Sequence, residues 1–324
     1  MIDVSIIVVA WNVRDLLHKC LESVYEQTED IEFEIIYVDN ASTDGSVEMV
    51  RNQFPTVRII KNDENKGFIV ANNQGIEISE GRYVLLLNSD TVILKNAIAK
   101  TMKFADEHPD AAVVGCRVLN PDRTLQRTCA MYHSVLNMLL SATYLYKIFP
   151  KSKFFGREEM TWWEFNDVRE VEVVYGCFSL VRKDPINQVG LMDPRYFVYG
   201  DDPDWCYRFH KAGWKVMFTP EAEIIHYGGR NTRCMAEKFR LQLCGSTLIF
   251  MKKHKGVFAF YLASIFQAFF FILRVPFWLA IGLIKSSERR EAFSRVKTYS
   301  LGAFYCLSSW QNLLMNKKEV NGMF

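Results

Sequence analysis

The stretch Tyr83 to Ile93 reads YVLLLNSDTVI: five strand-forming residues and then, at once, Asn88, Ser89 and Asp90. Residues 83–87 have the length and composition of a buried strand. A carboxylate at the end of such a strand is costly unless it is paired, hydrogen-bonded or bound to a metal ion. The stretch therefore predicts a core strand that ends at a polar site.

Strand-length apolar runs alternate with helical segments from the N-terminus to about residue 119, which is typical of βαβ units around a mostly parallel sheet. The predicted strands are Ser5–Ala10, Phe33–Val38, Val57–Lys61, Tyr83–Leu87 and Ala111–Val118. The first connecting helix has an apolar face formed by Leu16, Leu17, Cys20, Leu21 and Val24. We expect the second to begin at a cap, Ser42 or Thr43.

The second half of the chain returns to strands at Glu170–Arg182 and Trp214–His226, on either side of a helix at about Asp204–Ala212. Residues 120–170 are less regular and hold a cluster of aromatic side chains: Phe154, Phe155, Trp162, Trp163 and Phe165. This cluster is either a loop over a pocket or ordinary packing.

The C-terminal region differs in kind, because Val257–Ile284 is apolar apart from three polar residues, Ser264, Gln267 and Arg274. Arg274 and Pro276 divide this run into pieces shorter than the roughly 20 residues that a membrane span needs. Lysines and arginines flank both ends, so we favour a helix or kinked pair in the membrane interface, anchored by these cations and by Trp278. A single span and a buried helix pair are the alternatives.

Composition limits the remaining possibilities. The chain has 324 residues, enough for one large domain or two small ones, and a net charge of +2, so no bulk field indicates a nucleic acid partner. Eight cysteines without metal-ligand spacing indicate reduced thiols in a cytosolic compartment. No basic region precedes the first apolar run, so we expect no secretory signal.

Two acids follow neighbouring predicted strands: Asp39 after Ile35–Val38 and Asp90 after the opening strand. Ligands of open parallel sheets bind beyond the carboxyl ends of the strands, so this pair indicates a polar ligand and a cation there. The chain lacks G-x-G-x-x-G after its first strand and lacks a P-loop, which disfavours dinucleotide oxidoreductases and P-loop NTPases. A diphosphate bridged by a hard divalent cation remains the obvious ligand.

Two further groups of residues carry chemistry. Asp201, Asp202 and Asp204 crowd three carboxylates behind the aromatic segment from Tyr196; desolvation and like charges raise carboxyl pKa values, as a general base requires. The alternative is that these acids only stabilise a helix N-terminus. His226 ends a strand and is followed by Gly228, Gly229 and Arg230, which together could approach an anion.

These residues carry a resemblance to the family-2 glycosyltransferases of the GT-A fold, within them the rhamnosyltransferase-like branch that extends bacterial surface polysaccharides. The resemblance covers about Val4–Thr232. Seven motifs occur in the family's order: VSIIVVAWN at 4–12, VDNASTDGS at 38–46, NKGFIVANNQGI at 65–76, LLLNSDT at 85–91, YGCFSLVRKD at 175–184, YFVYGDDPDWCYR at 196–208 and HYGG at 226–229.

The resemblance implies roles for single residues. The donor-binding residues would be Ala10, Trp11, Asn12, Asp39, Asn65, Gly67, Asn73, Ser89 and Asp90. Asp90 and His226 would hold a Mg²⁺ or Mn²⁺ ion that bridges the donor diphosphate. Gly176 lies in the acceptor region, and Asp202, with Asp201 beside it, occupies the position of the general base.

The chain also departs from the family pattern. Asn88 stands where the family's metal motif has its first acid, so metal affinity rests on fewer charges. Asp201 replaces the usual glutamate beside the base. No Q-x-x-R-W motif follows, which argues against a processive synthase.

The sequence therefore predicts an inverting glycosyltransferase that uses a nucleoside diphosphate sugar, with dTDP-rhamnose as a guess at branch level, and a lipid-linked or glycan acceptor. We place it at the cytoplasmic face of the membrane. We expect a GT-A domain over 1–232, divided into a nucleotide-binding part (1–119) and an acceptor-binding part (120–232), followed by a helical region over 233–324. Two alternatives stand beside this prediction. A nucleotidyltransferase that makes activated sugars would need a glycine-rich loop after the first strand, which this chain lacks. The other alternative is a catalytically inactive binding subunit.

Overall fold

The computed structural model describes residues 1–196, 200–228 and 236–308. The strands in this part of the chain are β1 Val4–Ala10, β2 Phe33–Asp39, β3 Arg58–Lys61, β4 Tyr83–Asn88, β5 Thr91–Leu94, β6 Ala111–Leu119, β7 Leu125–Gln126, β8 Cys129–Ala130, β9 Arg169–Glu170, β10 Val173–Val174, β11 Phe178–Arg182 and β12 Lys215–His226. The first five predicted strands are confirmed to within two residues.

The helices are α1 Arg14–Gln27, α2 Ser46–Gln53, α3 Phe68–Glu77, α4 Ala97–Glu107, α5 Val135–Thr143, α6 Leu145–Ile148, α7 Lys183–Val189, α8 Asp201–Lys211, α9 Ala236–Phe250, α10 Gly256–Ile272, α11 Arg274–Ile284 and α12 Arg289–Ser308. A π-helical turn, Met251–Lys255, separates α9 from α10. A 3₁₀ turn, Ser286–Glu288, precedes α12.

One mixed sheet organises the first compact unit, which comprises residues 1–132 and 163–228. Its order is β3-β2-β1-β4-β11-β6-β12-β5, with β7 paired to β6 and β9 to β12. The half from β3 to β4 is parallel, as predicted. Beyond it, β11 runs antiparallel between β4 and β6, so β6 does not join the parallel half directly.

The core explains why these segments form the sheet. Every residue of β1 is buried, and the side chains of Leu17, Cys20, Leu21 and Val24 on α1 are buried at 0% exposure. This is the apolar face that helical spacing predicts. Burial on both faces accounts for the continuous apolar runs of β1 and β4.

Two helix starts differ from expectation. Helix α2 begins after Gly45, whose φ is +80°, and no side chain caps it; Ser42 and Thr43 bond Asn12 instead, so the predicted cap is wrong. Helix α8 begins at Asp201 rather than near Asp204. Its proline, Pro203, is the third helical residue, where a missing N–H is still tolerated because the first turn has no intrahelical acceptor.

The predicted strand over Glu170–Arg182 is three short strands with different partners: β9 pairs with β12, β10 with β8, and β11 with β4 and β6. Part of the aromatic cluster is ordinary packing. Trp163 stacks on Phe165, and both rings meet Phe218 edge-on at 4.9 and 5.3 Å.

Within the described residues, the second compact unit comprises 133–162 and 236–308. Residues 133–162, which we expected in the acceptor-binding part of the first domain, pack with the C-terminal helices: α5 lies against α10. Within this unit Ser141 donates a short hydrogen bond to Glu158. His133 lies 3.2 Å from the same carboxylate.

The apolar C-terminal stretch forms α10 and α11, which meet at Leu273. The helical stretch Leu241–Ile284 is long and apolar enough to cross a membrane by length and composition, with 28% of its most apolar window buried. Arg274 does not expose its charge on these helices. Its side chain is 94% buried, lies 3.4 Å from the Phe270 ring centroid and 4.0 Å from that of Tyr144, and donates to Phe270 O.

Candidate active site

The loops after β1 and β2 are joined at the carboxyl edge of the sheet. Parallel pairing puts Ala10 opposite Asp39. Asn12 N–H donates to Ser42 Oγ at 3.1 Å, and Asn12 Oδ1 accepts from Thr43 N–H at 2.8 Å. Asn12 has a φ of +53°, a conformation that asparagine tolerates better than most residues. The two loops therefore form one wall of the site.

Asp39 supports this wall from within. It is fully buried and accepts hydrogen bonds from Tyr37 OH at 2.7 Å and Ser42 N–H at 3.1 Å. Burial, and then the Asp39 carboxylate, raise the pKa of the Tyr37 phenol far above its usual range, which keeps the phenol a donor. Asp39 has no exposed surface in this structure and holds the Ser42 loop in place. Its contact with the donor stays a prediction. Trp11, 42% exposed, and Asn12 present surface beside it.

The loop before α3 is fastened to the same edge by Asn40. Its Nδ2 donates to Gly67 O at 3.2 Å, and its Oδ1 accepts from Asn62 Nδ2 at 3.0 Å and Lys66 N–H at 3.3 Å. Asn65 Oδ1 in turn accepts from Gly67 N–H. Asn40 and Asn62 were not among the predicted site residues, although each follows a predicted strand at this edge.

Asn73 lies apart from this group. Its Nδ2 donates to Met192 O at 2.8 Å, and its Oδ1 accepts from Met192 N–H at 3.1 Å. Both polar atoms of its amide are therefore committed to one peptide segment. Asn73 thus holds α3 against the segment that precedes α8, and its contact with the donor stays a prediction.

The end of β4 carries the predicted metal ligands. Asp90 Oδ1 lies 3.1 Å from His226 Nε2, with side-chain exposures of 19% and 14%. Asn88 Nδ2 lies 3.3 Å from the same His226 nitrogen. Ser89, which lies between Asn88 and Asp90 in the sequence, is 9% exposed. Tyr227 N–H donates to Asp90 O at 2.9 Å, which fixes the two chain segments side by side.

The separation of Asp90 Oδ1 and His226 Nε2 fits a shared divalent ion. Two ligands about 2.1 Å from one octahedral ion, at right angles, are about 3.0 Å apart. Among the described residues, no group of three or more histidine, cysteine, aspartate or glutamate side chains is arranged so that it could hold a metal ion. The protein therefore offers two ligands, and the remaining ligand positions would fall to diphosphate and water, as Mg²⁺ sites commonly arrange them.

The predicted base lies at the start of α8. Asp201 is 3% exposed, and the Asp202 carboxylate accepts a hydrogen bond from Gly176 N–H. Burial, and then the neighbouring Asp201 carboxylate, raise the pKa of Asp202 well above its usual range. Burial also raises the pKa of Asp201, but the N–H groups of Asp201 and Asp202 offset part of this effect. Asp202 is thus the carboxylate less stabilised as an anion.

Gly176 makes room for this carboxylate. A Cβ added at Gly176 would lie 2.7 Å from Asp202 Oδ1, closer than real contacts allow. Gly176, which we predicted to lie in the acceptor region, is therefore also in direct contact with the carboxylate of the predicted base. A side chain at this position would displace Asp202.

The third acid of the cluster, Asp204, has a different environment. It is fully buried, accepts from Arg208 Nε at 2.9 Å and lies 3.3 Å from Tyr196 OH. Arg208 also donates to Val189 O and Leu191 O. Asp204 and Arg208 therefore brace α8 against the segment before it, and Asp204 is not a second base.

One short segment connects the metal ligands with the base. Asn88 N–H donates to Cys177 O at 3.1 Å, while the preceding residue, Gly176, donates to Asp202. Burial, and then the Asp202 and Asp90 carboxylates, raise the pKa of the Cys177 thiol to about 12. Both acids therefore lie within electrostatic range of one thiol.

Two parts of the predicted site lie outside the described residues. These are 197–199, in the aromatic segment ahead of Asp201, and 229–235, which includes Gly229 and Arg230 of the proposed anion contact. Seven of the eight cysteines are described, and all seven are free thiols in buried positions.

A GT-A fold with polar residues at the carboxyl edge of its sheet defines the class of this protein as a nucleotide-sugar-dependent glycosyltransferase. The chain belongs to glycosyl transferase family 2, whose family model matches residues 5–190.

Curated relatives agree with this assignment. The chain is 27% identical over 209 residues to the N-acetylglucosaminyl-diphospho-decaprenol L-rhamnosyltransferase of Mycobacterium tuberculosis, covering 61% of this chain and 67% of the relative. It is 26% identical over 254 residues to the glycosyltransferase GlyG of Streptococcus pneumoniae, covering 77% and 79%. Among solved structures, a mannosyltransferase from Pyrobaculum calidifontis in complex with GDP-Man and Mn²⁺ has a TM-score of 0.57 at 15% identity, covering 94% and 88%.

Proposed function

We propose that the protein transfers a sugar from a nucleoside diphosphate donor to an acceptor hydroxyl, with inversion at the anomeric carbon, in the synthesis of a cell-surface glycan. One observation carries the proposal. A partly buried carboxylate with a raised pKa, Asp202, accepts a hydrogen bond from Gly176 N–H, and the backbone oxygen of the next residue, Cys177, accepts from Asn88 N–H at the end of the strand that precedes Asp90. A direct displacement requires a base and a diphosphate site near each other, and the Gly176–Cys177 segment links Asp202 to the strand end that carries Asp90.

The reaction then follows from the placement of charge. Asp202 removes the proton from the acceptor hydroxyl as its oxygen attacks the anomeric carbon. The bond to the diphosphate breaks on the opposite side, so the configuration inverts and no covalent intermediate forms. Asp90 and His226 would hold a Mg²⁺ or Mn²⁺ ion, and that ion would neutralise charge on the departing diphosphate. The raised pKa of Asp202 suits the role, because a base is most effective when its pKa lies near the working pH.

The donor side is formed by the joined loops that follow β1 and β2. Trp11 and Asn12, which follow the buried Ala10, provide the exposed surface. Asp39 holds the wall behind it, and the Asn65–Gly67 loop closes the same edge. Ser89 lies next to the metal pair. These contacts would fix the nucleoside, while Gly176 and α8 border the acceptor.

The relatives support a lipid-linked acceptor and dTDP-rhamnose as the first donor to test. The Mycobacterium tuberculosis relative is a rhamnosyltransferase whose name specifies a decaprenol-linked diphosphate. The structural neighbour was solved with a GDP-sugar, so GDP- and UDP-sugars belong in the same panel.

The donor panel tests the function. Purified protein, Mn²⁺ or Mg²⁺ and a membrane extract as acceptor source are incubated with each nucleotide sugar, and release of nucleoside diphosphate is measured. We expect acceptor-dependent release from one donor or a few related ones. Failure of every donor to release diphosphate or to bind in calorimetry would contradict the proposal and favour an inactive binding subunit.

We also propose that α10 and α11 attach the protein to the cytoplasmic face of a membrane. Many large apolar side chains of these helices are exposed, including Phe258 at 78%, Ile265 at 54% and Phe277 at 59%. Lysines 252, 253 and 255 precede the helices, and Lys285, Arg289 and Arg290 follow them. Exposed apolar surface between cationic flanks is typical of interfacial attachment.

Charge placed on this surface is expected to weaken attachment. The double variant Phe258→Asp, Ile265→Asp should bind vesicles of anionic phospholipid at least about tenfold more weakly in co-sedimentation. Its two new carboxylates would have to lose their water when this surface enters the membrane interface. Ile78→Asp, which alters an exposed apolar residue of the first unit, is the matched control and should bind normally. Equal binding by the wild-type protein, the double variant and the control would contradict the attachment, as would a full-length wild-type protein that binds no vesicles.

A further inference from the structure

We propose that Gln126 is a positioning residue that holds His226 as its Nδ1–H tautomer, with the Nε2 lone pair directed at the metal position beside Asp90. The proposal deepens the proposed function, because it rests on His226 being a ligand. Gln126 ends the two-residue strand β7, a hundred residues away from His226 in sequence.

The contact itself is short and directed. His226 Nδ1 lies 2.6 Å from Gln126 Oε1. An amide oxygen only accepts, so the Nδ1 atom must carry the proton. In a neutral ring the other nitrogen then has a lone pair and no hydrogen. A histidine that binds metal commonly donates its second N–H to such an oxygen, which fixes the tautomer and the ring orientation.

A chain of hydrogen bonds fixes which way the Gln126 amide points. Gln126 Nε2 donates to Asn120 Oδ1 at 3.2 Å. Asn120 Nδ2 donates to Thr124 Oγ1 at 3.0 Å, and Thr124 Oγ1 donates to Asp122 at 2.6 Å. A carboxylate accepts only, so every donor in the chain is directed away from His226.

A second acceptor makes this direction less dependent on the exposed carboxylate. Asn120 Nδ2 also lies 3.5 Å from the backbone oxygen of Leu125, which cannot donate. If the Gln126 amide turned over, its NH₂ group would face Nδ1 and its oxygen would face Asn120 Oδ1. The Asn120 contact would then bring two amide oxygens together with no hydrogen between them, so the Asn120 side chain favours the observed orientation.

The consequence for the site is electrostatic. With Nδ1 protonated, the Nε2 lone pair and the Asp90 carboxylate oxygen face each other at 3.1 Å. Among the described residues, Asn88 Nδ2 lies 3.3 Å from Nε2 and can donate to its lone pair, which partly offsets the repulsion. The opposite tautomer would place a proton between Nε2 and Asp90, where it would compete with a cation. Gln126 therefore favours the form of the site that is ready for a metal ion.

Gly228 is part of the same fit. It has a φ of +52°, and a Cβ added there would lie 3.3 Å from Gln126 Nε2 and 3.7 Å from His226 Cε1. The chain after β12 thus leaves space for the glutamine to reach the ring.

The test compares Gln126→Leu, which removes the acceptor, with Gln126→Glu, which keeps an acceptor oxygen. The matched control is Gln27→Leu, which removes an amide that accepts from Lys95 N–H elsewhere in the first unit. The first readout is the tautomer of His226 in the metal-free full-length protein, from ¹⁵N chemical shifts at about pH 9, above the usual titration range of histidine. The second is the affinity for Mn²⁺ alone, from the electron paramagnetic resonance signal of the free ion.

We expect the Nδ1–H tautomer in the wild-type protein, in Gln27→Leu and in Gln126→Glu, and a shift towards Nε2–H in Gln126→Leu. Gln126→Leu should also bind Mn²⁺ about 10- to 100-fold more weakly, as losses of such supporting partners usually do. An unchanged tautomer in Gln126→Leu, or an Nε2–H ring in the wild-type protein, would overturn the proposal. A wild-type protein that shows the Nδ1–H ring but binds no Mn²⁺ would instead contradict the metal site of the proposed function.

Discussion

Transfer by an Asp202→Asn variant is expected to be about 10²- to 10⁴-fold slower than by the wild-type protein, because an amide cannot accept the acceptor proton. The same change should make the protein more stable. Burial raises the pKa of Asp202, so its ionised form destabilises the fold at neutral pH. We therefore expect Asp202→Asn to increase the free energy of unfolding at neutral pH.

The pH dependence follows with the same sign. A carboxyl whose pKa is raised in the folded state destabilises that state above the folded-state pKa, and this cost disappears as the pH falls towards the unfolded-state value. Stability differences between wild type and Asp202→Asn should therefore shrink in acid. The rate of transfer should show the opposite trend, because the base works only when it is ionised. The rate should therefore fall in acid, at a pH above the usual pKa range of aspartate.

Asp201→Asn is the matched control for the base. Asp201 accepts from the first N–H groups of α8, so its loss should reduce transfer much less than the loss of Asp202. Thermal unfolding by calorimetry and initial rates between about pH 5 and 9 would measure both effects. Near-normal transfer by Asp202→Asn, together with inactivity of Asp201→Asn, would show that the base is assigned to the wrong residue.

Loss of either predicted metal ligand is the second large effect. Asp90→Asn removes the one carboxylate of the pair, and His226→Ala removes the one imidazole. Each should lower transfer about 100-fold or more at fixed metal concentration and raise the Mn²⁺ concentration needed for half-maximal rate, because the charge on the leaving diphosphate is then less well neutralised.

The double variant distinguishes one shared ion from two separate effects. If Asp90 and His226 bind the same ion, the double variant should be little worse than the more damaged single variant, since interacting residues are not additive. Asp110→Asn, which removes an acid paired with Lys215 at the opposite edge of the sheet, is the control and should leave the metal requirement unchanged. Independent, additive losses would contradict a shared ion.

The fold was largely predictable from local sequence. Strands such as β1 and β4 are buried on both faces, so their apolar runs identify them without tertiary information. The strand order beyond β4 was not predictable in this way. Strand β11 enters the sheet antiparallel between β4 and β6, and pairing between segments this far apart leaves no local pattern.

The site was predictable where a residue's position at a strand end already determines its surroundings. Asp90 and Asp39 were found in this way, but only the structure shows that Asp39 is fully enclosed by Tyr37 and Ser42. The same limit applies to Asn73, whose partner Met192 lies 119 residues away.

Gln126 had no sequence signal at all. It belongs to a two-residue strand in a segment that looked irregular, and its role depends on a contact with His226 that only the folded sheet creates. The division of the three clustered acids was equally hidden: Asp202 faces Gly176, whereas Asp204 faces Arg208.

The anomeric configuration of the product, determined by NMR with the donor found in the release panel, tests the central claim most directly. A single base at Asp202, with no covalent intermediate, predicts that the anomeric configuration of the new glycosidic bond is opposite to that of the donor. Retention of the donor configuration would contradict direct displacement and, with it, the role assigned to Asp202.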